Sequence, residues 1–300
     1  MSVTKNKSCQ ICKSPNLSLF LTCSDHFLTQ EKFDLYQCND CGFVFTRNSP
    51  DEKEMGKYYQ CEDYISHSDT RKGLINKLYH VSRSIMLSRK SKLIEKVHND
   101  KIKNLLDIGS GSGYFLNYMK KHNWPVTGIE NDKGARDFSI QNFEVDVYAT
   151  DHLFKLKGNT FSVITLWHVL EHMHQLEKVM RQIHHILHDK GTLVIALPNC
   201  TSFDAVHYQS FWAAYDVPRH LWHFSPASFQ KLSDQYGFQI ITKKRMPLDA
   251  FYVSILSEKY KRDGKRYLAS GFITGLTSWI KSLFKMDASS SIIYILRKIG

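Results

Sequence analysis

From Lys103 to about Lys244, short apolar runs alternate with longer stretches whose apolar positions recur at helical spacing. Asn104–Ile108, Val126–Ile129, Val145–Tyr148, Phe161–Leu166 and Thr192–Leu197 read as buried strands, because runs this short and apolar have no polar face to turn to water. Strands separated by helices in this way form βαβ units, and βαβ units build a parallel sheet. The pattern differs on either side. Residues 1 to about 50 hold short β-like runs, Leu17–Leu21 and Phe43–Thr46, set among cysteines. From Asp51 to Asn99 the chain is tyrosine-rich, and Leu74, Leu78, Val81, Ile85, Leu93 and Val97 fall at helical spacing. Beyond Lys244 comes a basic helical stretch, closed by the strand-like run Ser291–Leu296. No internal repeat interrupts this order.

With 300 residues, 42% of them hydrophobic and 23% charged, the chain has room for one sizeable core and smaller attachments. Met1 to Ser8 is polar, without the apolar stretch of a signal peptide, and no run of about 18 apolar residues suggests a spanning helix. Seven cysteines fall as two Cys-x-x-Cys pairs plus Cys23, Cys61 and Cys200. That odd count points to a reducing compartment, hence a cytoplasmic protein, and to metal rather than disulfides. The net charge of +11 suits nucleic acid, an anionic lipid surface or an acidic small molecule equally well. The cations are spread out, with clusters at Arg89–Lys92, Lys243–Arg245 and Lys259–Arg266, and solvated helix faces account for them as readily. No nucleic-acid-binding motif accompanies them.

Cys9-Gln-Ile-Cys12 and Cys38-Asn-Asp-Cys41-Gly42 are two knuckles, each aiming two thiolates at one point. Together they supply the tetrahedral sulfur set that zinc prefers, and Gly42 relieves the tight turn after the last ligand. Cys9, Cys12, Cys38 and Cys41 are therefore expected to hold a structural zinc, with a redox pair as the competing reading. The first 50 residues are expected to form a zinc ribbon, residues 51–102 a helical connector or cofactor lid, and 103–300 the main domain.

The most specific signal is Leu105-Leu-Asp-Ile-Gly-Ser-Gly-Ser-Gly-Tyr-Phe115. A strand ends in Asp107, and Gly109, Gly111 and Gly113 then let the backbone turn beneath a ligand before a helix begins. Dinucleotide folds use a similar turn, so the glycines alone decide little. The spacing here is Gly-x-Gly-x-Gly, one residue shorter than the pyrophosphate-cradling form. The next strand ends in Glu130, where a carboxylate can accept both ribose hydroxyls of an adenosine. Phe161–Met173 is a strand running into a helix, and Gly191–Asn199 a strand closed by a turn.

In order and spacing these segments resemble the class I S-adenosylmethionine-dependent methyltransferases, close to the ubiquinone-biosynthesis O-methyltransferase branch, over roughly residues 100–245. The cysteine module resembles the zinc-binding domain that precedes some sugar C-methyltransferases. The resemblance implies an α/β, Rossmann-like seven-stranded sheet, with Gly237–Thr242 as strand six and Ser291–Leu296 as an antiparallel strand seven beside it. The stretch of about 248–290 between them, far longer than a hairpin needs, reads as a helical insertion near the substrate mouth. By the same resemblance Asp107, Gly109, Ser110, Gly111, Gly113 and Tyr114 frame the methionine end of the cofactor, and Glu130 with Asn131 holds the ribose. Asp151 or His152 approaches the adenine, and Trp167 and His168 line the cofactor.

Phe211–Phe224, directly after the fifth strand, crowds aromatics, Asp216, Arg219 and two histidines into a turn-prone segment at the ligand-binding edge of such sheets. Arg219 suits a bidentate grip on a phosphate or carboxylate, and His220 a general base. The alternative is that Trp212, Trp222 and Phe224 are core, with His223 hydrogen-bonded inside. His168 and His172 are four apart and so expected on one helical face, and His172 beside Glu171 is a second candidate base. His184, His185 and His188 read as solvated surface. Tyr58, Tyr59 and Tyr64 fold over the cofactor or simply pack. The function expected is methyl transfer to a sugar, sugar-nucleotide, lipid-linked or quinone-type acceptor. An RNA methyltransferase and a non-catalytic cofactor-binding subunit are the alternatives.

Overall fold

The structure, a computed structural model, describes residues 7–59, 74–98, 101–246, 248–262 and 266–299. Cys61 and Tyr64 lie outside the described residues. The helix expected from the spacing of Leu74 to Val97 is α1, Leu74–Val97.

The main sheet contains the five strands expected from the apolar runs and the two implied by the family resemblance. They are β4 (Leu105–Ile108), β5 (Val126–Ile129), β6 (Asp146–Tyr148), β7 (Phe161–Trp167), β8 (Leu187–Pro198), β10 (Phe238–Arg245) and β11 (Ser291–Lys298). Their order is β10-β11-β8-β7-β4-β5-β6. The five from β4 to β8 run parallel, while β11 lies between β8 and β10 and is antiparallel to both. Strand β4 pairs with β5 on one side and β7 on the other. The chain order reverses there, which opens a crevice at the strands' carboxyl ends. All four residues of β4 are buried, as a central strand with both faces covered requires.

Helices α2 (Tyr114–Lys120), α3 (Lys133–Phe143), α4 (Leu176–Ile186) and α6 (Pro226–Gln235) accompany the sheet, with α5 (Phe203–Tyr208) after β8. Local chemistry sets their starts. The Asp132 side chain accepts from Ala135 N–H at 2.7 Å, and Ser225 and Ser228 form a reciprocal capping box ahead of Pro226. The expected insertion is a helical hairpin of α7 (Asp249–Lys261) and α8 (Tyr267–Phe284).

The N-terminal cysteines sit on a second, antiparallel sheet of β1 (Leu17–Ser24), β2 (Lys32–Cys38) and β3 (Val44–Thr46). Its fourth strand comes from far away. β9, Trp222–His223, lies inside the loop expected to bind the acceptor, and it pairs with Val44 and Phe45. Thr46 reinforces the join, its N–H donating to the Leu221 carbonyl at 2.9 Å and its hydroxyl to the His220 carbonyl at 2.8 Å. Cys9, Cys38, Phe43 and Phe45 therefore share one apolar cluster with Leu197, Trp222 and Phe224. The cysteine module and the large sheet have a common core.

Candidate active site

The site forms where β4 ends. Gly109, Gly111 and Gly113 have φ of +73°, +53° and +73°, a region that side chains with a Cβ rarely adopt. Two of them also lack room. A Cβ on Gly109 would stand 2.3 Å from Val169, and one on Gly113 2.6 Å from the Ser139 hydroxyl. The turn so formed faces Glu130 at the end of β5. One Glu130 carboxylate oxygen accepts the Gly111 N–H at 2.7 Å and the other the Asp132 N–H at 2.8 Å. The Ser110 hydroxyl beneath the loop is buried and makes no hydrogen bond. Gly128 of β5 allows that approach, since a Cβ there would be 2.8 Å from the Ser110 oxygen. Nothing in the local sequence pattern singled out Gly128.

Asp107 is buried at the tip of β4 and accepts from the Thr165 hydroxyl at 2.5 Å. Burial pushes its carboxyl up to about 7, against the opposing pull of Thr165 and of Lys90. Lys90, from α1, places its ammonium 4.3 Å from the Trp167 ring centroid. Burial lowers its pKa while Asp107 and Asp249 hold it up. The sequence placed Lys90 in a solvated cluster, and its partners come from β4 and α7. Trp167 packs edge-on against Phe115, with its indole N–H buried and without a hydrogen bond. A buried carboxylate, an orphaned hydroxyl and an orphaned indole N–H beside a glycine turn fit a ligand rich in polar groups.

The remaining expected cofactor residues are arranged less directly. Tyr114 packs against Phe138 and Phe143, beneath the Arg83 guanidinium at 3.8 Å. Asn131 is exposed and accepts from the Thr150 hydroxyl at 3.4 Å. Asp151 is exposed and paired with Lys155 at 2.6 Å, whereas His152 stacks on Tyr148 at 4.1 Å. That stack forms at the end of β6.

His168 and His172 do not share a helical face. His168 has φ +59°, and a single 3-10 turn over Leu170–His172 follows, so the four-residue helical spacing does not apply. His168 instead bridges two carboxylates, Glu171 at 3.4 Å and Asp249 at 3.2 Å. Burial disfavours its charge, but the hydrogen bonds and charges of those acids outweigh this and raise its pKa to about 10. It is an imidazolium inside an ion network. The histidines near 184–188 likewise split, because α4 ends at Ile186 and His188 lies on β8. His185 is exposed, while His184 packs edge-on against Phe238.

Glu171, His172 and His220 converge, with one ligand-type atom from each within 4.8 Å of the others. Glu171 is fully buried. His172 Nδ1 lies 3.1 Å from the Arg219 carbonyl and 3.0 Å from the Tyr59 hydroxyl, and the His172 and His220 rings meet edge to face at 4.5 Å. Burial and the neighbouring His220 hold His172 down to about 4, hence neutral at neutral pH. His220 Nδ1 lies 2.8 Å from the Ala214 carbonyl. A carbonyl only accepts, so Nδ1 carries a proton, and Nε2 lies 4.0 Å from Asp216. These three side chains are also the kind of set that binds a cation.

Arg219 does not present its charge to a substrate. It is 1% exposed, and each guanidinium nitrogen is engaged. Nε donates to Asp216 at 3.0 Å, one terminal nitrogen to the Tyr58 carbonyl at 3.0 Å, and the other to Asp25 at 2.9 Å and Asp216 at 2.7 Å. Protein groups take four of the guanidinium's five N–H hydrogens, which argues against the expected anion grip. Trp212, Trp222 and Phe224 are buried and His223 bonds to Thr46 at 2.9 Å, so these members of the loop are core. The loop also touches the insertion, Ala213 N–H donating to the Ser257 hydroxyl at 2.8 Å.

In the cysteine module the Sγ atoms of Cys9 and Cys41 are 3.4 Å apart, as are those of Cys12 and Cys38, and all four fall within 4.8 Å of one another. Four sulfurs about 2.3 Å from a common centre would be about 3.8 Å apart, so the set has the dimensions of a tetrahedral metal site.

A glycine turn at the switch point of a mixed seven-stranded sheet, capped by an acid on the next strand, defines a Rossmann-like methyltransferase. Comparison with known proteins agrees. The family described as a methyltransferase domain matches residues 80–243, more than half of the chain, and the chain belongs to it. Those residues form a class I S-adenosylmethionine-dependent methyltransferase domain. An uncharacterized protein of Methanocaldococcus jannaschii is 30% identical over 150 residues, which cover 49% of this chain and 62% of that protein. Among solved structures, a putative sarcosine dimethylglycine methyltransferase of Galdieria sulphuraria superposes with a TM-score of 0.51 at 12% identity, covering 75% of this chain and 88% of that one. Phosphoethanolamine N-methyltransferase 2 of Haemonchus contortus, solved with S-adenosyl-L-methionine, gives 0.52 at 12% identity over 95% of this chain and 69% of that one. At such identity the likeness is one of fold.

Proposed function

We propose that the enzyme methylates a small-molecule acceptor, of the sugar, sugar-nucleotide, lipid-linked or quinone type, held between the turn after β7 and the loop from Phe211 to Phe224. The convergence of Glu171, His172 and His220, in the segment just after Val169, which packs on Gly109, carries this reading. The two structural neighbours are named for small amine and amino-acid substrates, which supports the size class. Asp107, Gly109, Ser110, Gly111, Gly113, Glu130 and Trp167 hold S-adenosylmethionine. The bound cofactor supplies a methyl group activated on sulfur, and the chain supplies alignment and a place for the acceptor's proton. His220 is that place. Its Nδ1 proton is fixed on Ala214, Nε2 is the nitrogen left to take up the acceptor's proton, and Asp216 and Glu171 stabilise the imidazolium that forms. His172, held neutral, shapes the pocket without competing for the proton. Cys9, Cys12, Cys38 and Cys41 hold one structural zinc.

Single-turnover transfer of labelled methyl groups to fractionated small metabolites tests the reading. His220→Gln should slow an oxygen acceptor about 10²–10⁴-fold with cofactor affinity unchanged, the usual range for losing a general base. Wild-type rates in that variant would remove His220 from the chemistry. For the cofactor, Glu130→Ala should weaken calorimetric S-adenosylmethionine binding about tenfold or more, the worth of charge-assisted hydrogen bonds. Equal affinity in both proteins would show that Glu130 does not hold the ribose.

A further inference from the structure

Helix α8 packs inside out. Around its axis the sequence divides into two halves. One arc of about 160° carries only large apolar side chains and Ala269, and the other carries Gly, Ser, Thr, Tyr267 and Lys281. In a soluble domain the apolar half faces the core. Here Gly271, Gly275, Ser278 and Ser282 are buried, while Leu268, Phe272, Ile273, Leu276, Ile280 and Phe284 are exposed, from 37% to 88%. The small residues let the two helix backbones touch. A Cβ on Gly271 would lie 2.5 Å from the Ile255 Cα, and one on Gly275 2.8 Å from the Phe251 Cα. The buried polar face is satisfied too, with the Ser278 hydroxyl donating to Asp204 at 2.8 Å. The inversion is thus built into the packing, and a contiguous apolar strip is left pointing outward.

The charges around the strip indicate what covers it. Lys259, Lys261 and Arg266 stand at the hairpin tip beside Arg262, which pairs with Glu258 at 3.2 Å, and Lys281 and Lys285 at the other end, whereas α8 itself holds no acidic residue. A second copy laid antiparallel on this strip would set basic ends against basic ends. A negatively charged lipid surface meets both the apolar strip and its cations. Among the described residues no helix is long and apolar enough to cross a membrane, so the fitting geometry is a helix lying in the interface.

We propose that the α7–α8 hairpin docks this methyltransferase on anionic membrane leaflets, with Phe272, Ile273 and Ile280 inserted among the acyl chains and the lysines and arginines at its ends on lipid headgroups. Asp249, the first residue of α7, pairs with His168, which ties the hairpin to the network at the site. The docking does not depend on the acceptor assigned above.

Co-sedimentation of the full chain with phosphatidylcholine vesicles, with and without phosphatidylglycerol, tests it. Wild type should partition at least about tenfold more onto the anionic vesicles, and this preference should shrink as salt rises. Two variants act independently. The triple variant Phe272→Ser, Ile273→Ser, Ile280→Ser changes only exposed residues and should lose binding to both vesicle types. Lys259→Glu with Lys261→Glu leaves the apolar strip intact and should lose the preference for phosphatidylglycerol. Absence of wild-type binding to anionic vesicles overturns the proposal. So does a wild-type dimer in sedimentation velocity that the triple serine variant converts to monomer, because the strip would then be a contact between copies.

Discussion

Arg219 joins the two sheets. Its guanidinium reaches Asp25 of the cysteine module, the Tyr58 carbonyl and Asp216 of the loop from Phe211 to Phe224, with Arg219 and Asp25 buried and Asp216 partly exposed. Removing one member of a buried ion cluster leaves the others uncompensated, so Arg219→Ala should cost about 3–5 kcal/mol in urea unfolding. A loss within experimental error would return Arg219 to candidacy as a substrate ligand. His168 makes a prediction with a sign. Its pKa is raised from an ordinary value of about 6.5 to about 10 by Glu171 and Asp249. The folded state therefore keeps a proton that the unfolded chain has released. Its contribution to stability is complete below about pH 6.5 and is lost as pH rises toward 10. Over that window wild type should lose stability with pH more steeply than His168→Gln, by up to one proton, in denaturation midpoints followed across pH. Parallel curves would show that the imidazolium is not formed. At this scale the glycine turn and Glu130 were legible because they lie in one βα unit. Arg219 and Lys90 were not, because their partners come from segments remote in the chain.

The five parallel strands of the large sheet follow from their apolar runs, since central parallel strands bury both faces, whereas β10, half exposed, was reached only through the family resemblance. β2, with Lys32 and Asp34 exposed along one edge, carries no such run and was not anticipated. Two-residue β9 was likewise unreadable. Its strand character exists only because Val44 and Phe45 offer it a partner. Helix α8 shows another limit, for the insertion was expected to be helical but which of its sides faces the protein was not read. That orientation depends on the glycines, so Gly275→Leu should force Phe251 away and cost about 1–3 kcal/mol, measured by thermal or urea unfolding. A neutral result would mean that the two helices do not pack this closely. In the cysteine module, stripping metal with a chelator should release about one zinc per chain and unfold β1 to β3, as small modules with a four-thiolate site do. A metal-free protein with that sheet intact would contradict the zinc assignment.

For the molecule as a whole, the two sheets, the insertion and the site are one mechanical unit. Ions run from Lys90 and Asp107 under the cofactor turn, through Asp249, His168 and Glu171, to Asp216, Arg219 and Asp25. Metal loss in the N-terminal module should therefore be felt at His220, whose backbone carbonyl is held by Thr46. Chelator-treated enzyme should bind S-adenosylmethionine normally yet transfer methyl groups more slowly, and unchanged turnover after verified metal loss would show that the loop is braced from elsewhere. The pairing of β3 with β9 also has a consequence for how the protein comes into being. Strand β3 leaves the ribosome long before Trp222 and His223 do. At translation rates of about 5–20 residues per second, its outer edge waits roughly ten to forty seconds for its neighbour. During that interval Val44, Phe45 and the amides between them are an open template for any passing strand. The newborn chain is exposed to misassembly along β3, and synthesis past the fifth strand of the large sheet is what closes the danger.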